Sequence, residues 1–133
     1  MEIATKTITL ALISFFILGC TQGPQENGYL DGHITIGPLC PVESFPPDPS
    51  CEPTEETYLA YELTVYRSAG PTQPALVQVT RFHGDKDGNY RIELEPGTYV
   101  VAYENQISRF RENVEIKKGE ITRLGIGIDT GIR

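Results

Sequence analysis

Asp87-Gly88-Asn89-Tyr90-Arg91-Ile92-Glu93-Leu94-Glu95-Pro96-Gly97-Thr98-Tyr99 is the stretch that decides the fold. Tyr90, Ile92 and Leu94 alternate with Arg91 and Glu93, the period of two expected of a strand with one buried face. Asp87-Gly88 supplies the turn that leads in, and Pro96-Gly97 turns the chain again into Thr98 to Tyr103. An alternating segment held between two such corners is a β-strand in an antiparallel arrangement.

The same reading extends in both directions. Upstream, His33 to Ile36 is a short strand ended by Gly37-Pro38. Tyr58 to Tyr66 is a second, ended by Ala69-Gly70-Pro71, and Ala75 to Phe82 a third. Downstream come Val114 to Ile116 and a last strand from Ile121 through Ile128. No segment carries a 3.6-residue apolar pattern capped at both ends. Seven short strands separated by Gly, Pro and Asp turns predict an all-β chain, a seven-stranded antiparallel β-sandwich. The expected inward set is Ile34, Ile36, Leu63, Val65, Val77, Val79, Tyr90, Ile92, Leu94, Tyr99, Val101, Val114, Ile116, Leu124, Ile126 and Ile128. Burying an aliphatic side chain contributes about 1.5–3 kcal/mol, so this set makes a sufficient core. Gly125 and Gly127 occupy the opposite face of the last strand, where a neighbouring backbone could approach closely.

Asp87 to Tyr99 resembles the carboxypeptidase regulatory-like domains, which are transthyretin-like (prealbumin-like) β-sandwiches. They share an Asp-Gly turn, an aromatic residue, alternating apolar residues and Pro-Gly-x-Tyr entering the next strand. Ile36-Gly37-Pro38-Leu39-Cys40-Pro41-Val42-Glu43 and Asp129-Thr130-Gly131-Ile132-Arg133 resemble segments of a group of small bacterial proteins built on this domain. The resemblance implies a transthyretin-like fold. Members of that superfamily serve as accessory, adhesive or carrier-associated modules, and the fold by itself assigns no function.

The N-terminus predicts where the chain resides. A short polar start with Lys6, an apolar run from Ile8 to Leu18 and a small residue, Gly19, have the form of a secretory signal. The run is shorter than the ~20 apolar residues of a spanning helix. Ile17-Leu18-Gly19-Cys20 resembles the bacterial lipobox, with Leu18 in place of the usual small residue. That resemblance implies lipid attachment at Cys20 and removal of residues 1–19. The expected organisation is a signal peptide at 1–19, a lipidated tether at 20–29 and a sandwich domain at 30–133. The protein is then exported and held on the cell membrane or outer membrane by its acyl chains.

Charge narrows the partners. The chain carries seven negative charges in excess, and the signal segment removes one of each sign. An acidic domain is repelled by phosphate backbones and by anionic head groups, which argues against nucleic acid and against electrostatic membrane binding. Three cysteines are present. With Cys20 given to lipid, Cys40 and Cys51 remain, and a disulfide is the default in an oxidising compartment. A metal pair is the rival, with no second cysteine pair and no nearby histidine to complete it; a free thiol is the other alternative. The loop they would close lies in a tract, Pro38 to Pro53, holding six of the ten prolines.

Few residues point to chemistry. Asp85-x-Asp87-Gly88 has the start of a calcium loop but lacks the closing glutamate, and a hairpin turn needs the same residues. His33 and His83 are the two histidines. A hydrolase branch of the transthyretin-like fold uses histidines and a Tyr-Arg-Gly-Ser tail, whereas this chain ends Thr-Gly-Ile-Arg. No nucleophile motif or phosphate-binding glycine loop is recognisable. Neither a catalytic residue, a metal site nor a cofactor is expected. Arg109, Phe110 and Arg111 are expected in a loop between two strands, where an aromatic flanked by arginines could anchor a partner; Phe110 folded back over the end of the core is the competing reading. Tyr58, Tyr61 and Tyr66 are expected to pack rather than to form a sugar-binding strip. The expected role is a non-catalytic structural or protein-binding module with an envelope protein as its partner, and a small hydrolase or a ligand carrier is the alternative.

Overall fold

Leu30, Ile34 and Ile36 project from the same face of β1 (Gly28–Gly37) into the core, and all three are buried. The computed structural model describes residues 26–42, 44–68 and 75–132. The signal segment, Cys20, most of the tether, Glu43, the Ala69-Gly70-Pro71 break and Arg133 lie outside the described residues. Around β1, β4 (Asn89–Leu94) pairs antiparallel over Gly28–His33. Two short strands, β7 (Ile121–Arg123) and β8 (Ile126–Asp129), pair with β1 in parallel, the first with Tyr29–Asp31 and the second with Ile34–Gly37. The second sheet has the order β3-β2-β5-β6, all antiparallel, with β2 at Leu63–Ser68, β3 at Leu76–Phe82, β5 at Gly97–Glu104 and β6 at Arg109–Ile116. The two sheets face each other as a β-sandwich, as predicted.

Several details differ from the sequence reading. Eight strands are described rather than seven, and the β1–β7 and β1–β8 pairs make the first sheet mixed rather than wholly antiparallel. The last predicted strand is two, broken at Leu124 and Gly125. β1 begins at Gly28, inside the expected tether, because Leu30 already lies on the inward face that Ile34 and Ile36 continue, with the glycines at 28 and 32 interrupting the apolar alternation. Tyr58 does not begin a strand. Glu55–Ala60 forms a six-residue helix, α1, whose first amides are capped by a reciprocal Thr54–Thr57 pair. Its only buried residue is Tyr58, so there was no apolar period to detect.

Val77 and Val79 are not core residues; they are 56% and 45% exposed. β3 is a sheet edge, and the register slips between Val65 and Tyr66, where Val65 faces Thr80 and Tyr66 faces Gln78. Val79 is the extra residue of this bulge, so the alternation that predicted it is reset. Ile92 and Leu124 are only partly buried, while Leu30, Tyr58, Phe82 and Val100 join the buried set. The close backbone approach is also elsewhere. A Cβ on Gly125 or Gly127 would meet nothing within 4 Å, whereas one on Gly32 would lie 2.0 Å from the carbonyl oxygen of Leu124. That carbonyl turns in where β7 gives way to β8, and the Tyr90 hydroxyl donates to it at 2.6 Å.

Cys40 and Cys51 form a disulfide with Cα atoms 5.5 Å apart. The staple closes a loop that hangs from the end of β1. In the chain-entropy model a loop of this size gains at most about 3 kcal/mol from its bridge, and the prolines, by stiffening the unfolded loop, reduce that. Cys40→Ala is therefore expected to lower stability by about 1–2 kcal/mol and leave a cooperative unfolding transition. Urea denaturation checks this, and thiol counting in denaturant should find neither cysteine free in the exported wild type.

Candidate functional site

β1 separates two unlike ends of the sandwich. The chain enters it at Gly28, beside the turn at Lys117–Glu120, where the Gly119 amide donates to the Asn27 carbonyl at 3.1 Å. It leaves at Gly37, about 30 Å away at ~3.3 Å per residue. The stapled loop emerges there, and its neighbour is the C-terminal segment: the Thr130 hydroxyl donates to the Pro38 carbonyl, and the Thr130 amide to the Gly37 carbonyl. The turn at Asn105–Ser108 closes over the same end, since a Cβ on Gly131 would strike Ile107. Its own conformation is set by Asn105, whose Oδ1 accepts from the amides of Ile107 and Ser108.

The stapled loop is ordered by local bonds as well as by its disulfide. Asp48 caps the 3-10 turn Pro49–Cys51, its carboxylate accepting from both the amide and the hydroxyl of Ser50 at 2.9 and 2.8 Å. The Ser50 amide, and then its hydroxyl, hold the Asp48 carboxyl below the usual carboxylate range. Phe45 is 99% exposed and Val42 75%. Beside the disulfide lies a groove of about 290 Å³ lined by Pro38, Leu39, Val42 and Pro47, with Asp48 and Glu52 also on its wall. Ile107 is a further exposed apolar side chain at this end.

The Arg109-Phe110-Arg111 run is not in a loop. It begins β6, where Arg109 pairs with Glu104, Phe110 with Tyr103 and Arg111 with Ala102. Phe110 is half-buried against the core, and Arg109 makes a 2.5 Å salt bridge to Glu104. The loop reading failed because Arg109 to Asn113 show no apolar alternation. On a sheet edge charged side chains are expected, since they block pairing with another strand.

Asp85 serves its own turn. Its Oδ1 accepts from the amides of Asp87 and Asn89, both at 2.9 Å, and its carbonyl accepts from Gly88. Among the described residues no group of three or more His, Cys, Asp or Glu side chains is placed to share a metal ion. His33 Nδ1 lies 3.1 Å from the Asn89 side-chain oxygen, and His83 Nδ1 lies 2.9 Å from the Gly84 carbonyl. His33 thus faces its cross-strand neighbour on β4, and His83 its own adjoining carbonyl.

Tyr58 and Tyr61 pack, as expected. Tyr61 and Tyr103 rings stand 5.6 Å apart, and Tyr58 covers Gly84 and Gly88. Burial pushes the Tyr90 phenol far above its ordinary range, and the Asp31 carboxylate pushes in the same direction. Burial likewise raises Tyr58, with Asp85 and Asp87 adding to it, so neither phenol is poised for proton transfer near neutrality.

The residues that the sequence did not single out are Val42 and Phe45. The signal was present, because an aromatic residue inside a short cysteine-closed loop has no core within reach.

No family model matches the chain, and no curated protein matches it. Solved structures do. A DUF3823 family protein from Parabacteroides merdae is 17% identical with a TM-score of 0.47, over 77% of this chain and 46% of that one. The minor pilin of the Gram-positive pathogen Streptococcus agalactiae is 17% identical with a TM-score of 0.47, over 79% of this chain and 45% of the pilin. A 9R-lipoxygenase from Cyanothece is 12% identical with a TM-score of 0.40, over 84% of this chain and 18% of the enzyme. This chain thus spans less than half the length of each.

Proposed function

We propose that this chain is a non-catalytic, lipid-anchored β-sandwich of the bacterial envelope that binds another protein through the end of the domain remote from its anchor. The observation that carries this reading is the polarity of the sandwich. The chain enters at one end of β1, and at the other end stand Phe45, Val42 and Ile107, exposed around the stapled loop. Exposed aromatic and aliphatic side chains gathered at one place mark a contact surface.

The organisation we propose keeps residues 1–19 as the signal and Cys20 as the acylated residue, with the tether shortened by the early start of β1. Each buried acyl CH₂ contributes about 0.8 kcal/mol to membrane attachment, so a doubly acylated cysteine holds an acidic domain on the bilayer without electrostatic help. The corners at Asp87-Gly88 and Pro96-Gly97 flank β4 as the carboxypeptidase regulatory-like reading requires, which supports that assignment. Arg109, Phe110 and Arg111 start β6 at the same end and form the rim of the proposed contact.

Cys20→Ser tests the anchor. The variant is expected to lose acyl labelling entirely and to accumulate as unprocessed precursor. Normal labelling of the variant would overturn the lipoprotein assignment.

A further inference from the structure

We infer that the stapled loop docks a cationic segment of a partner protein, an apolar side chain of that segment entering the groove beside Phe45 while its Lys or Arg residues face the loop's carboxylates. The inference rests on the protein-binding reading and names the chemistry of the partner. Three observations carry it.

The apolar part is built and presented. Phe45 is 99% exposed, and Ser44 and Pro47 on either side of it line a groove of about 290 Å³ together with Pro38, Leu39 and Val42. An exposed apolar residue alone needs no explanation, but a bare phenylalanine beside an apolar groove has the form of an interface anchor.

The loop is also held in shape before any partner arrives. The Cys40–Cys51 disulfide, the Asp48 cap on Ser50 and the prolines leave little freedom to lose on binding. Preorganisation of this kind lowers the entropic cost of association.

The charge is one-sided. No Lys, Arg or His occurs between His33 and Arg67, while Glu43, Asp48, Glu52, Glu55, Glu56 and Glu62 all fall there. Glu62 is paired with Arg81 at 3.3 Å, and the remaining acids belong to the loop and to the first turn of α1. A segment complementary to the loop itself is therefore cationic, and the β6 arginines, Arg109 already paired with Glu104, stand outside the loop. The same acids oppose a second copy of this loop and an anionic lipid surface.

The test uses the full chain purified in detergent and three fluorescent peptides of equal length, alternating Lys-Leu, Lys-Ser and Glu-Leu. Lys-Leu is expected to bind about tenfold more tightly than either control, with Phe45→Ser and Glu52→Lys each removing most of that margin. Both substitutions are at exposed positions, and intact thiol protection would show that the loop still closes. Equal binding of Lys-Leu and Lys-Ser, or of Lys-Leu and Glu-Leu, would overturn the inference, as would variants that bind like the wild type. Phe45-dependent binding to phosphatidylglycerol vesicles, or Phe45-dependent self-association in sedimentation, would overturn it in favour of those occupants. Photoreactive phenylalanine placed at positions 45 and 107 in cells separates the two levels of the argument. Protein crosslinks from 107 but none from 45 would overturn the loop inference and leave the binding reading standing. No crosslink from either would overturn both.

Discussion

Leu30→Ala is expected to lower the free energy of unfolding by about 2–5 kcal/mol, a large part of the stability of a domain this size. Leu30 is fully buried in β1, with β4 on one side at Ile92 and β7 on the other at Thr122. Both flanking strands depend on β1, so the cavity would open between the sheets at a place where neither neighbour can move in without losing its ladder. The spread in cost follows how far such a site collapses. Urea unfolding followed by circular dichroism measures it. Leu59→Ala is the control, because Leu59 is 51% exposed on α1 and its loss should change stability by only about 0.5 kcal/mol. If the two variants unfold at the same midpoint, Leu30 is not the core residue described here.

Gly32→Ala is expected to cost about 3 kcal/mol, at or beyond the upper end of ordinary overpacking. The new methyl would lie 2.0 Å from the Leu124 carbonyl oxygen and 2.8 Å from its carbon, and both are backbone atoms. Relief requires moving the crossover between β7 and β8, which also pulls the Leu124 carbonyl from the Tyr90 hydroxyl. Gly127→Ala provides the contrast. A Cβ there meets nothing within 4 Å and the residue is not in a positive-φ conformation, so the change should be neutral or stabilise by about 0.4–1 kcal/mol. Tyr90→Phe, which removes the hydroxyl that holds the carbonyl, should cost about 1–3 kcal/mol because a buried acceptor loses its partner. Gly32→Ala unfolding at the wild-type midpoint would show that the crossover is not packed on Gly32.

The chemistry of the candidate surface divides in the same way. Cys40 and Cys51 were legible as a disulfide because, with Cys20 given to lipid, an even pair remained in the oxidising compartment that the N-terminus predicts. Phe45 was present in the same loop, but what makes it an anchor is its complete exposure next to a groove, and exposure is a property of the packed molecule. The Arg109-Phe110-Arg111 run stood out as composition and proved to be strand. Pairing with Glu104, Tyr103 and Ala102 is a long-range choice made by β5, and no local pattern in those residues announces it.

By itself the sequence determined that this chain is a β-sandwich. Turn residues at Asp87-Gly88 and Pro96-Gly97, and alternation in β4 and β5, are local properties that the backbone must satisfy wherever the rest of the chain goes. Only the tertiary structure decided that β1 is a central strand, that Leu30 is core while Val77 and Val79 are not, and that the close approach is at Gly32 rather than Gly125. Each of these depends on which strand lies alongside. A bulge in β3 or a break between β7 and β8 shifts register by one residue, and one residue exchanges the buried face for the exposed one.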